Sequence, residues 1–270
     1  MTASRDHDDE AHIEASRAPL LDHLIELRQR LIWSLIGFIA AFVFCYFFAE
    51  QIYAFLTHPL AQALEGQPGR RMIFTALYET FFTYIKVAGF GALCISFPII
   101  ATQIWMFVAP GLYRNERRAF WPFLIATPVL FILGAALVYY GLMPVAIKFF
   151  LGFESPGGAG SLPIQLEAKV ADYLDLIMSL IFAFGLSFQL PVLLTLLGRV
   201  GIVSSQFLKN HRRYAIVFAF VVAAVLTPPD VISQVALALP LCLLYEASVW
   251  SVRLIEKRRA EDAKSAESAL

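Results

Sequence analysis

Charge is scarce in this sequence, and so are the residue patterns that announce an active site. Asp, Glu, Lys and Arg make up 16% of its 270 residues, against ~25% in soluble domains. The 21 basic and 21 acidic side chains cancel, so no cationic surface for nucleic acid is expected. Cys45, Cys94 and Cys242 each sit in an apolar run without CxxC spacing, which excludes a disulfide framework and a zinc ribbon. His23 and Glu26 stand three apart, while His7, His12, His58 and His211 offer no matching pair. Two ligands fall short of the three or four that a metal site needs, so no metal or cofactor is expected. Ser187, in Gly185-Leu186-Ser187, has no histidine in any apolar run to act as its base, and the chain does not read as an enzyme. Gly89-Phe90-Gly91 reads as close helix packing, not a phosphate loop. No internal repeat relates the two halves, which argues against an inverted-repeat transporter.

What the chain does have is hydrocarbon: 59% apolar residues and a mean hydropathy of +0.68. Six apolar segments stand out, Leu31 to Ala49, about Phe82 to Val108, about Trp121 to Met143, about Leu174 to Leu197, Tyr214 to Leu226 and Val231 to Val252. A span needs about 20 apolar residues, and these runs lack the alternation of a barrel strand. The expected fold is therefore all-α, a polytopic membrane protein of six transmembrane helices. Residues 1–19, with Asp6, Asp8, Asp9 and Glu10, read as a disordered acidic tail, 20–254 as the membrane domain and 255–270 as a charged tail. An acidic start is not the basic n-region of a secretory signal, so no cleaved leader is expected.

Orientation follows from Lys and Arg. Sixteen of them fall in the N-terminal tail, the loop around Tyr113, the loop after the fourth span and the C-terminal tail. Arg70, Arg71, Lys148 and Lys169 lie on the other side, and Lys86 is in the second span. Both termini are thus expected in the cytoplasm. The outer loops, His58 to Thr80 and Pro144 to Asp172, are rich in turn residues and long enough to cover the bundle's outer mouth. Pro98, Pro122, Pro128, Pro191 and Pro240 interrupt the spans. They fit either the general tolerance of membrane helices for proline or a deliberately curved, concave bundle.

The fifth span is short. Fourteen residues separate Arg213 from Pro228, about 21 Å of helix against a hydrocarbon core near 30 Å. The turn at Thr227-Pro228-Pro229-Asp230 then either thins the bilayer or leaves Asp230 below the outer interface. Gln189, costly to bury alone, should face protein or a wet groove. On the cytoplasmic side, Asp22 to Arg30 forms an amphipathic lead-in to the first span, with Leu20, Leu24, Leu27 and Leu31 at helical spacing. Glu26 and Arg30, four apart, fit an ordinary surface pair. Glu116 among Arg114, Arg117 and Arg118 fits local charge balance, and Glu79 and Lys86 fit outer-interface positions.

Four strings carry more information together than singly. His23-Leu24-Ile25-Glu26-Leu27-Arg28-Gln29-Arg30-Leu31 and the stretch from Trp105 through Pro110-Gly111-Leu112-Tyr113-Arg114-Asn115-Glu116 to Arg118 are the first two. Phe184-Gly185-Leu186-Ser187-Phe188-Gln189-Leu190-Pro191 and Leu226-Thr227-Pro228-Pro229-Asp230-Val231-Ile232-Ser233-Gln234 follow in order. The chain resembles the TatC family, the six-helix receptor subunit of the twin-arginine protein translocase, from Leu20 to Leu254. The resemblance implies a concave bundle in the bacterial inner membrane that binds twin-arginine signal peptides and helps export folded proteins on the proton-motive force. It implies signal-peptide contacts at Glu26 and Glu116 with Arg28, Phe107, Leu112 and Arg114, and polar or partner contacts at Gln189, Asp230 and Gln234. The family's position matching Gln189 is often glutamate, so a carboxylate-dependent role cannot be carried over there. TatA- and TatB-type single-span subunits, membrane lipids and further copies of the chain are the implied partners. The competing class is a small-solute transporter or channel, which would converge polar groups at the bilayer midplane. Gln189 is nearly all the spans offer for that.

Overall fold

A chain surrounded by lipid must satisfy its own backbone, and the computed structural model is helical almost throughout. It describes the backbone of residues 3–66, 69–108, 121–158, 162–226 and 231–267, and the side chains of 23–66, 69–107, 122–158, 162–225, 231 and 234–261. The helices are α1 (Ala3–Phe47), α2 (Ala49–Ala63), α3 (Glu79–Val108), α4 (Trp121–Ala136), α5 (Met143–Leu151), α6 (Val170–Ser187), α7 (Leu190–Val200), α8 (Ser205–Asn210), α9 (Arg212–Leu226) and α10 (Val231–Glu267). Among the described residues, five stretches are long and apolar enough to cross a membrane: His23–Phe47, Glu79–Phe107, Pro122–Leu151, Val170–Val200 and Gln234–Glu261. The remaining expected span, the fifth, is α9, whose 15 residues reach only about 22 Å. The all-α membrane fold expected from the sequence is the fold observed.

Three boundaries differ from expectation, each for a physical reason. The backbone of α1 begins at Ala3, well before the first apolar run; acidic residues are favourable near a helix N-terminus. Next, α2 runs to Ala63, through the position where an outer loop was expected at His58, with Pro59 in its interior. Proline has no N–H to give the carbonyl four residues back, here that of Phe55. The Tyr139 hydroxyl donates to that carbonyl at 2.8 Å, and its ring stacks on Phe55 at 4.3 Å. The Tyr173 hydroxyl donates to the neighbouring Leu56 carbonyl at 3.0 Å. Finally, the third span does not stop near Met143: α4 passes through a π-helical turn, Leu137–Leu142, into α5. The fourth span is interrupted by a turn at Phe188 and Gln189 between α6 and α7, with Pro191 in the first turn of α7.

The helices pack in sequence-alternating fashion, α1 along α3, α3 on α6, α6 on α4, and α7 and α9 on α10. One core gathers around α6: Leu174, Ile177 and Phe184 meet Leu56, Val87 and Leu237. A second joins Phe97, Trp105, Phe123, Phe131, Val192 and Leu196. Where α4 crosses α6, two glycines allow the approach. A Cβ on Gly185 would sit 2.4 Å from the Phe131 ring, and one on Gly134 would lie 2.7 Å from the Phe184 carbonyl oxygen.

At the end carrying the long loops, the two loops are stitched together. Arg70 grips Glu154 with both nitrogens, at 2.6 and 2.5 Å, and donates to the Leu166 carbonyl at 3.1 Å. The Leu166 N–H returns to Glu154 at 2.7 Å. Main-chain bonds tie Ile73 to Ala168 and Val170 at 3.0 and 2.9 Å. Glu79, read from the sequence as an outer-interface residue, is buried within the protein: it accepts from the N–H groups of Thr75 at 2.9 Å and Ala76 at 3.3 Å, and from that of Ala171, at the start of α6, at 3.4 Å. A carboxylate suits two helix N-termini at once.

Candidate functional site

Two polar constellations draw on the residues singled out by sequence. The first lies at the end opposite the loops, where α1 enters the bundle. The His23 ring stacks on Phe107 at the end of α3, centroids 4.2 Å apart and planes within 15°. Two helical turns on, Arg30 donates to Glu26 Oε1 at 3.2 Å and to Gln103 Oε1 at 3.3 Å, with Met106 sulfur 3.8 Å away. The amphipathic lead-in is thereby fixed to α3 by a ring stack and a shared guanidinium. His23 and Glu26, three apart, are thus both engaged by protein groups.

The Glu26–Arg30 pair is the local i,i+4 contact that spacing suggested, with side chains about a third exposed. Its 3.2 Å separation exceeds the 2.7–2.9 Å of a strong charge-assisted bond. Only Oε1 faces Arg30, and a carboxylate offers about four acceptor sites. Glu26 can therefore receive a second guanidinium without surrendering the first. Arg28, two residues further along α1, is exposed. Glu116, Leu112 and Arg114 lie outside the described residues. Gln103 and the His23–Phe107 stack were not found from sequence, because both are tertiary contacts with no spacing signature.

The second constellation is buried where α3, α4 and α7 meet. The Trp105 indole N–H donates to the Thr127 hydroxyl at 3.1 Å, and that hydroxyl donates to the Phe123 carbonyl at 2.8 Å. Gln189, at the α6–α7 bend, donates from Nε2 to the Thr127 carbonyl at 3.0 Å and the Gly185 carbonyl at 3.3 Å. Its Oε1 is buried without a hydrogen-bond partner among the described residues. The amide faces protein, as expected, and its donors are spent on main chain. Gln234 joins the hairpin helices, its Nε2 donating to the Phe220 carbonyl of α9 at 3.2 Å. Asp230 lies outside the described residues.

Comparison with known proteins gives a consistent result. A family model described as Sec-independent protein translocase protein (TatC) matches residues 22–240. A relative named Sec-independent protein translocase protein TatC, from Magnetococcus marinus, is 49% identical over 252 residues, covering 93% of this chain and 90% of that protein. The protein of the same name from Escherichia coli is 41% identical over 235 residues, covering 87% and 88%. A crystal structure of the twin-arginine translocase receptor TatC superposes with a TM-score of 0.74 at 35% identity, covering 87% of this chain and 99% of that one.

Proposed function

The chain belongs to the TatC family, and on that premise we propose that it is the core subunit of a twin-arginine translocase. It binds twin-arginine signal peptides at a cytoplasmic rim and helps move folded proteins across the inner membrane. It crosses the membrane six times, with α9 as the short fifth span, and both termini lie in the cytoplasm. TatA- and TatB-type single-span subunits are its partners, and the reaction uses no cofactor of its own.

The observation that carries this reading is the half-open Glu26 carboxylate, set on a helix that His23, Phe107, Arg30 and Gln103 hold in place. Two adjacent guanidinium groups need planar two-oxygen acceptors. A rim holding Arg28, Arg30, Arg114, Arg117 and Arg118 would repel a dibasic peptide unless acids faced it. Glu26 and Glu116 are the acids of that rim.

The test is binding of an Arg-Arg signal peptide, and its Lys-Lys counterpart, to detergent-solubilised protein. A charge-assisted hydrogen bond contributes about 1.5–3 kcal/mol, so Glu116→Ala should weaken Arg-Arg binding roughly ten- to a hundredfold. Glu26→Ala should weaken it less, since Arg30 already occupies one oxygen, and the Lys-Lys peptide should gain little from either acid. Equal binding by Glu116→Ala and the parent protein would overturn the assignment. For orientation, single cysteines in place of Arg117 and Gly158 should be labelled from opposite sides of the membrane.

A further inference from the structure

The exposed stripe of α6 is made of the wrong residues for lipid. Asp172, Asp175 and Ser179 succeed one another at i, i+3 and i+7 and are all exposed, whereas α1 turns Ile32, Leu35, Ile36, Ile39 and Val43 outward. Beside the stripe, Lys86 of α3 holds both oxygens of Asp175, at 3.0 and 2.8 Å. The two side chains are 53% and 51% exposed, so their own bundle does not cover them. Lysine near a helix end ordinarily sends its amine to the headgroups; this one is turned sideways to α6. Ion pairs on a membrane helix are costly against hydrocarbon and normally face protein or water. Ser179 adds a small hydroxyl side chain on the same stripe, bonded to the carbonyls of Asp175 at 2.6 Å and Leu176 at 2.9 Å. Small polar residues are what close helix contacts in membranes use.

We propose that this α3–α6 face is a contact between two copies of the chain. Copies inserted with one orientation can pair symmetrically only about an axis along the membrane normal. Rotation by half a turn about that axis preserves depth and exchanges left for right. Lys86 and Asp175 touch, so they share a depth, and Lys86 of each copy then faces Asp175 of the other. Four charges alternate around a square, each carboxylate with one oxygen for each ammonium. A second copy supplies equal and opposite charge at the required depth. A single helix carrying one ionised side chain would leave an excess charge in the contact. The inference rests on the membrane spans and not on the signal-peptide reading.

The experiment uses the full chain in membranes, with Cys45, Cys94 and Cys242 replaced by alanine. Ser179→Cys should form a disulfide-linked dimer under mild oxidation, while Leu243→Cys, exposed on α10, should not. Lys86→Asp and Asp175→Lys, each added singly to Ser179→Cys, place like charges across the axis and should cut the cross-link about fivefold or more. Co-expressed with distinct tags, the two variants become complementary between copies, and the mixed dimer should recover while each chain's internal pair stays broken. Absence of the Ser179→Cys dimer, cross-linking there only to a different polypeptide, or no recovery in the mixture would each overturn the proposal. Should the reversals fail to insert, Lys86→Gln combined with Asp175→Asn removes both charges. An undiminished cross-link in that variant would overturn it equally.

Discussion

Tyr139 completes a hydrogen bond that Pro59 removes. Its hydroxyl, from the π-helical turn, donates at 2.8 Å to the Phe55 carbonyl, the group that a non-proline residue at 59 would have bonded through its own N–H. Tyr139→Phe should therefore cost about 1–3 kcal/mol, the penalty for an acceptor left unpaired away from water. In a Pro59→Ala background the same change should cost far less, because the alanine restores the donor. Thermal unfolding in detergent of the four proteins of this cycle measures the difference directly. Equal losses in both backgrounds would show that the proline and the tyrosine are not coupled.

The loop clasp predicts a dependence on acidity. The Arg70 guanidinium bonded to Glu154, aided by the Leu166 N–H, holds that carboxyl below the usual carboxylate range against the opposing effect of burial. A carboxyl depressed in the folded state stabilises above its unfolded value and loses that contribution as pH falls through the folded one. Glu154→Gln should therefore have a lower Tm than the parent protein at neutral pH. The gap should narrow below about pH 4, where unfolded glutamate takes up its proton. Protease nicking of residues 152–169, followed against pH, should show the same convergence. A gap constant from pH 7 to pH 3 would mean the ion pair contributes nothing to loop stability.

Close packing at the α4–α6 crossing can be tested with one methyl group. Gly185→Ala puts a carbon into the buried Phe131 ring and should destabilise by about 1–3 kcal/mol. Adding Phe131→Leu should recover part of the loss. Gly134→Ala meets main chain at Phe184 instead, so no side-chain change at Phe131 should rescue it.

Gln189 separates two roles. Gln189→Leu removes two donors and one unpaired acceptor, and at ~0.6–2 kcal/mol per interhelical bond the protein should remain folded. Gln189→Glu places a carboxylate against the Thr127 and Gly185 carbonyls, which favours its protonated form. That variant should be less stable at neutral pH than at pH 5, because a carboxyl can donate to those carbonyls only while it holds its proton. Tm across that range decides the matter, and a Gln189→Glu protein as stable at pH 7.5 as at pH 5 would indicate a wet site.

The spans were readable because a run of about 20 apolar residues has few other uses. The short α9 was readable for the same reason, since Arg213 and Pro228 bracket it in the sequence. What stayed hidden depends on partners distant along the chain. The helix through Pro59 is stabilised by a tyrosine 84 residues away, so local rules ended it early. The π-helical turn interrupts a uniformly apolar run with no change in composition. At the rim, i,i+4 spacing revealed Glu26 and Arg30, while Gln103 lies 73 residues from Arg30. Gln189 was legible as a buried amide but not its targets, which are main-chain carbonyls and carry no residue signature. Glu79 and Lys86 read as interface residues from position alone, with no sign that Glu79 accepts from the start of α6 or that Lys86 reaches across to Asp175 on that helix.

The π-helical turn between α4 and α5 makes length and phase interchangeable at one point of the chain. An i→i+5 turn holds one residue more than an α turn, so Leu137–Leu142 acts as an inserted residue that the helix has absorbed. Deleting any single residue there would allow continuous α-helix, rotating α5 by about 100° against α4. Met143 and Ile147, now buried, would swing away from the core. A gap of one position at this place is therefore not neutral slack: it sets which side of a helix is inside.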